Sequence, residues 1–261
     1  MIHEGERKYK LNPFAKYLAG FLYERSGEFD SAYIDYKAAY DLRPDFRGLH
    51  LDLIRMARKL RRWNDLDRWK KQFQLTPSEQ KRVFLPLEKA SAEVLVIFQN
   101  GISPRKTSHE NFYSIPRFIA RYNPVEVAKI RVDGGKVEYT HPLFDVEATA
   151  IQNLEDNYAG LIAKKLAGIV AKEVVSSGVE KATDSPLLGG IARLFFYASD
   201  RADIRSWSLL PKDFQVYRMA LSAGPHVIEI SLEGIENYSK RLELSLKPGE
   251  KKIVNFRYVP R

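Results

Sequence analysis

The chain has 261 residues and carries 42 Lys and Arg against 33 Asp and Glu, a net charge of +9. Its 44% hydrophobic content suffices for an ordinary core, and no apolar run approaches the ~18 residues of a membrane-spanning helix. The absence of cysteine excludes disulfides, thiolate catalysis, Fe–S clusters and cysteine zinc sites, and fits a periplasm or a reduced cytosol equally well.

Met1 to Lys10 is polar and has no apolar segment of the signal-peptide kind. Asn12-Pro13 then reads as a helix start, with a capping side chain followed by a residue whose missing N–H costs nothing in the first turn. From Pro13 onward, Gly20, Tyr23, Gly27, Phe29, Ala32, Tyr36, Ala39 and Pro44 fall at the positions of the roughly 34-residue tetratricopeptide pattern. Gly20 and Ala32 are small where two helices cross, and Tyr23, Phe29 and Tyr36 are expected to fill the space between them. Gly27 permits the turn and Pro44 ends the second helix. Residues 47–80 read as a degenerate second copy, with Arg61, Trp63 and Leu66 in the places of Gly27, Phe29 and Ala32, Ile54 in that of Gly20, and Thr76-Pro77 closing it. Two such units leave an apolar flank, so upstream helices or docking on the following body are expected, with residues 1–11 as the tail of a preceding helix.

A charged helical connection over Ser78–Ala92 leads to Glu93–Gln99, a β-branched apolar run bounded by turn residues and expected to be a buried strand. Tyr113–Tyr122 and Val125–Val132 are further strands, and Asp133-Gly134-Gly135 turns into Lys136–Thr140 as a hairpin. Two core helices are expected, about 146–176 and 186–200. Leu154, Tyr158, Leu161 and Ile162 belong to the stripe of the first, and Ser185-Pro186 caps the second. From Phe214 the pattern alternates with period two. Ile228, Ile230 and Leu232 share one face, as do Leu242, Leu244 and Leu246, so β-hairpins are expected over about 214–258. The fold class is α+β: helical hairpins over 1–90, then a mixed body over 91–261 ending in antiparallel strands.

No catalytic constellation is legible. No phosphate-cradling loop, GxGxxG or GxSxG elbow occurs, and the five histidines are scattered. The chain therefore reads as no enzyme, with no cofactor and no metal; His141 and His226 are expected at turns. One polar cluster, Asp200, Arg201, Asp203, Arg205, Ser206 and Trp207, fits either a loop clamp or a recognition corner, in which case Asp203, Arg205 and Trp207 would mark the site of a small-ligand binder or an enzyme. In the helical repeats a partner would lie along the face made by Phe14, Tyr17, Phe21, Glu24 and Arg25, then Gly48, Leu51, Arg55, Arg58 and Lys59. Tyr17 and Phe21 would hold apolar side chains, while Arg25, Arg55, Arg58 and Lys59 would suit an acidic protein or peptide. Alternatively those aromatics pack against an upstream helix. The basic run at 55–71 is either a solvated helix face or a nucleic-acid patch that lacks a recognised fold signature, and no nucleic-acid partner is expected.

Three segments, NPFAKYLAGFLYERSGEFDSAYIDYKAAYDLRPD (12–45), VLVIFQNGISPRK (94–106) and ADIRSWSLLPKDFQVYRMALSAGPHVIEI (202–230), together resemble a family of uncharacterised bacterial tetratricopeptide-repeat envelope proteins. Its members are often read as lipoproteins and are found alongside small outer-membrane lipoproteins. The resemblance implies a periplasmic, outer-membrane-associated scaffold that binds envelope proteins. It also implies a full-length form in which a signal, a lipidated cysteine and further repeats precede Asn12. Leu221–Tyr258 is in addition similar to small β-sandwich modules of bacterial surface proteins.

Overall fold

The structure is a computed structural model that describes residues 11–77, 79, 91–109, 115–163, 202–235 and 238–260. The expected helix at 186–200 and the expected upstream tail at 1–10 lie outside the described residues. The chain divides into two compact units, one of Met1–Gly101, Asn123–Asp145 and Pro211–Arg261, the other of Ile102–Tyr122 and Val146–Leu210.

The first unit begins with helices α1 (Pro13–Ser26), α2 (Phe29–Leu42), α3 (Arg47–Lys59) and α4 (Trp63–Phe73), each packed on the next. Asn12 Oδ1 accepts from the Ala15 N–H at 3.0 Å, which satisfies one of the donors exposed at a helix start. α3 and α4 begin 34 residues after α1 and α2. The equivalence extends to the turns: Gly27 (φ 83°) and Arg61 (φ 56°) both hold left-handed backbone between paired helices. Thr76 does not simply close the second pair. It caps a new turn reciprocally with Glu79, whose Oε2 accepts from the Thr76 N–H at 2.8 Å.

Gly20 sits where α1 crosses α2, and a Cβ placed there would lie 2.7 Å from the Tyr36 ring. That ring cannot swing aside, because its hydroxyl is bonded to Glu24 and Arg218. Gly20→Ala is expected to destabilise by about 1–3 kcal/mol through overpacking, read as a lowered midpoint in chemical denaturation; an unshifted midpoint would refute the tight crossing. Tyr36 and Ala32 fill the space between the helices as expected. Tyr23 does not: it is exposed, because Gly20 and Glu24 form the row of α1 that meets Tyr36 and Tyr23 lies off that row.

The same unit continues with β1 (Ser91–Asn100), β4 (Ala128–Val132), β5 (Val137–Tyr139), β6 (His141–Asp145), β7 (Asp213–Ser222), β8 (Gly224–Leu232), β9 (Ser239–Leu246) and β10 (Lys251–Arg257), numbered to leave β2 (Arg105–Ser108) and β3 (Pro116–Ile119) for the second unit. Two four-stranded sheets form, ordered β10-β1-β7-β6 and β5-β4-β8-β9. They share one apolar layer made by Val94, Val96 and Phe98 from one sheet and Ile130, Ile228 and Ile230 from the other. The alternate residues of β1, Leu95 and Ile97, turn the opposite way and join the core of α1–α4. Covered on both faces, β1 reads as an uninterrupted apolar run for that reason. The expected boundary near residue 90 therefore separates nothing, since helices and strands share one core.

The alternation from Phe214 onward marks strands correctly, yet only β8 and β9 pair as a hairpin. β7 lies in the other sheet, and β10 crosses over to pair parallel with β1. The Asp133-Gly134 turn does join β4 to β5 as a hairpin. Thr140 marks where the chain then changes sheets: its Oγ1 accepts from the Ala128 N–H at 2.9 Å and donates to Gln215 Oε1 at 2.6 Å.

In the second unit β2 and β3 pair antiparallel, and α5 (Val146–Asp156) packs along β3. The described part of the first expected core helix buries no residue completely within Val146–Asp156, and Ile162 is exposed. Its apolar stripe lies along the edge of a two-stranded sheet, which cannot cover it. No described helix is long and apolar enough to cross a membrane.

Candidate functional site

The helices meet the β10-β1-β7-β6 sheet through charge as well as through apolar contact. Glu24 from α1, Asp52 and Arg55 from α3, Glu93 from β1, Arg218 from β7 and Lys251 from β10 converge at this layer, three acids against three bases. Arg218 is the hub. Its Nε donates to Glu93 Oε2 at 2.8 Å, and its Nη1 donates to Tyr36 Oη and to Asp52 Oδ1, each at 3.0 Å. Its Nη2 donates to Glu24 Oε2 at 3.0 Å and to Glu93, so all five N–H groups of the guanidinium are used.

Glu24 is equally saturated. It accepts from Tyr36 Oη at 2.9 Å, from both terminal nitrogens of Arg55, from Arg218, and from Lys251 Nζ at 2.9 Å. Burial alone would raise its carboxyl pKa, but Arg218 and then Arg55 outweigh burial and hold it far below the usual range. Glu93 has the same balance, burial opposed by Arg218, Arg55 and Lys251, and lies at about 2. The Phe21 ring closes the layer, with the Arg218 guanidinium 4.9 Å from its centre.

This arrangement relocates the sequence-derived binding face. Tyr17 and Phe21 are fully buried, and Arg55 is drawn inward by Glu24 and Asp52. Tyr17 and Phe21 offer no surface to a partner, because the chain's own sheet covers them, and the Arg55 guanidinium is taken up by Glu24 and Asp52. Arg25, Arg58 and Lys59 stay exposed, Arg25 and Lys59 at the rim of the helical groove. Much of the basic run is held locally: Arg62 pairs with Asp30 at 2.7 Å, Arg68 with Asp65 at 3.0 Å, and Lys59 lies over the Phe29 ring at 4.0 Å.

Two clefts remain in the filled groove. One, of about 280 Å³, is lined by Tyr17, Gly48, Leu51, Asp52 and Arg55 together with Phe46, His141 and β7. The other, of about 480 Å³, is lined by Glu24, Arg25, Phe29, Arg55 and Lys59 together with the start of β1 and the turn before β10.

The Asp203, Arg205 and Trp207 segment belongs to the second unit, and among the described residues it does not make the expected clamp. Asp203 and Arg205 bond only each other among the described residues, at 2.9 Å, and Trp207 is 78% exposed. The segment is tied down by backbone instead, since Ser103 Oγ donates to the Trp207 carbonyl at 2.8 Å.

Arg218, Glu93, Asp52 and Lys251 were missed as a constellation. The one signal in the sequence is a lone Arg at an inward position of the strand DFQVYRMALS, flanked by apolar residues. Such an Arg demands a buried acid, but the sequence does not say which. Compared with protein-family models, with curated proteins and with solved structures, the chain has no match in any of the three.

Proposed function

We propose that this chain is a non-enzymatic protein–protein interaction scaffold of the bacterial cell envelope that receives an acidic segment of a partner at the larger cleft. The observation that carries this reading is the placement of Arg25 and Lys59. They stand 34 residues apart at equivalent ends of α1 and α3, both exposed, and both line one cleft. Of the three acids lining that cleft, Glu24 and Glu93 are already neutralised by Arg55, Arg218 and Lys251, and Glu250 lies 4.0 Å from Lys252, so Arg25 and Lys59 leave the lining with a positive balance. Exposed cations on a preformed wall favour capture of carboxylates and set its rate and salt dependence. The envelope assignment rests on the likeness of residues 12–45, 94–106 and 202–230 to tetratricopeptide-repeat envelope proteins. The 34-residue offset of the two helix pairs supports a repeat of that kind.

Arg25→Glu combined with Lys59→Glu is expected to abolish partner recovery in cross-linking pull-downs from envelope extracts. Folding should be unaffected, because surface substitutions of this kind shift stability by only about 0.5 kcal/mol. Recovery of the same partners by the double variant, with the same salt dependence, would reject the cleft as the docking point.

A further inference from the structure

Among the described residues the two four-stranded sheets have edges at β10, β6, β5 and β9, and these edges are not alike. An open edge offers unpaired N–H and C=O groups to any strand that can match it. β5 is only three residues long, and β6 is broken by a register shift between Pro142 and Phe144. β10 carries Lys251, Lys252 and Arg257 and no acid, so a second β10 would be repelled. β9 is different. It runs for eight residues, pairs with β8 alone among the described residues, and presents both signs of charge.

Alternate residues of β9 face opposite sides of its sheet. Leu242 and Leu244 pack against the core that the two sheets share, yet both remain partly exposed at the edge. Ser239, Arg241, Glu243 and Ser245 form the outer row and are exposed, with Arg241 Nη2 3.6 Å from Glu243 Oε1. That row is self-complementary about Leu242. When two copies of β9 run antiparallel with Leu242 opposite Leu242, Ser239 of each copy meets Ser245 of the other, and Arg241 meets Glu243. A slip of one residue would set outer residues against inner ones. A slip of two would place either Arg241 opposite Arg241 or Glu243 opposite Glu243, which is destabilising. Lys240, on the inner face, would lie over Leu244 of the other copy, its stem on apolar surface and its ammonium in solvent.

The rest of the sheet continues the same pattern. Arg131 on β4 stands opposite Glu229 on β8, and Glu229 stands opposite Arg241. Glu243 of a second copy is the next member of that alternating row.

We infer that β9 is a self-association edge, joining the β5-β4-β8-β9 sheets of two copies of this chain into one continuous sheet about a two-fold axis at Leu242. A two-fold contact uses the same strand in both copies and leaves neither β9 open, so it closes at a dimer. A single strand edge buries less than the roughly 1,000 Å² of a stable interface, so the dimer forms only at concentrations on the order of 0.1 mM. It shares no residue with the cleft at Arg25 and Lys59, and stands or falls without the docking of a partner there.

Sedimentation velocity of the full chain, from about 10 μM to about 1 mM, should show a monomer giving way to a dimer. Arg241→Glu and Glu243→Arg each turn two attractive cross-strand pairs into two repulsive ones, and each should weaken the dimer at least about tenfold. Both positions are exposed, so each variant should fold as the parent does. Mixing the two variants should restore association, because one edge is then wholly acidic and the other wholly basic. Arg241→Glu combined with Glu243→Arg in one chain should restore it as well. A parent that stays monomeric at about 1 mM overturns the inference. So does a dimer unchanged by either single reversal, or a mixture of the two variants that stays monomeric.

Discussion

Arg218→Met is expected to destabilise the chain by about 3–5 kcal/mol, the cost of leaving buried charge without its partner. The side chain is only 9% exposed, and its loss strands Glu24, Asp52 and Glu93 against two remaining cations. Methionine fills much of the same volume, so the loss reports electrostatics rather than a cavity. Arg218→Lys should recover only part of it, because an ammonium has three donors and no planar fork, and cannot reach Glu24, Asp52, Glu93 and Tyr36 together. Equilibrium unfolding in urea measures all three proteins. A loss below about 1 kcal/mol for Arg218→Met, the range of solvent-exposed pairs, would show that water reaches the cluster and would dismiss it as the link between helices and sheet.

Stability should fall steeply on acidification, and the same cluster should account for the fall. Glu24 and Glu93 both titrate lower in the folded chain than in the unfolded one, Glu93 at about 2 against about 4.3 unfolded. A carboxylate with a depressed folded pKa stabilises fully above its unfolded value and loses that contribution as pH falls through the folded one. The loss should thus begin near pH 5 and run towards pH 2, with Glu93 alone accounting for about 3 kcal/mol at 1.36 kcal/mol per pKa unit. Glu24 adds to it in the same direction. In Arg218→Met the acids lose their principal cation, so the slope between pH 5 and pH 2 should flatten. Parallel slopes for the parent and Arg218→Met, measured by urea unfolding across that range, would contradict this assignment.

Local rules written into short stretches were legible from the residues alone. The Asn12-Pro13 cap, the 34-residue repeat of helix starts, the left-handed turn at Gly27 with its counterpart at Arg61, the buried run of β1 and the Asp133-Gly134 hairpin all depend on contacts within a few positions. The binding face was misplaced because Tyr17 and Phe21 look the same in sequence whether a partner or the chain's own sheet covers them.

By itself, then, the sequence determined the starts of the helical pairs, the glycine turns and the apolar faces of β1, β8 and β9, because those features follow from backbone sterics, capping and periodicity at close range. It did not show β2 or β6, and His141 and His226 lie in β6 and β8 rather than at the expected turns. Only the tertiary structure decided that β7 and β10 leave their neighbours in the chain for the sheet of β1, and that Arg218 meets acids 125 to 194 residues away. Pairing at such separations is selected by the mutual burial of whole faces and by charge balance among groups from five elements. No periodicity within one segment encodes either.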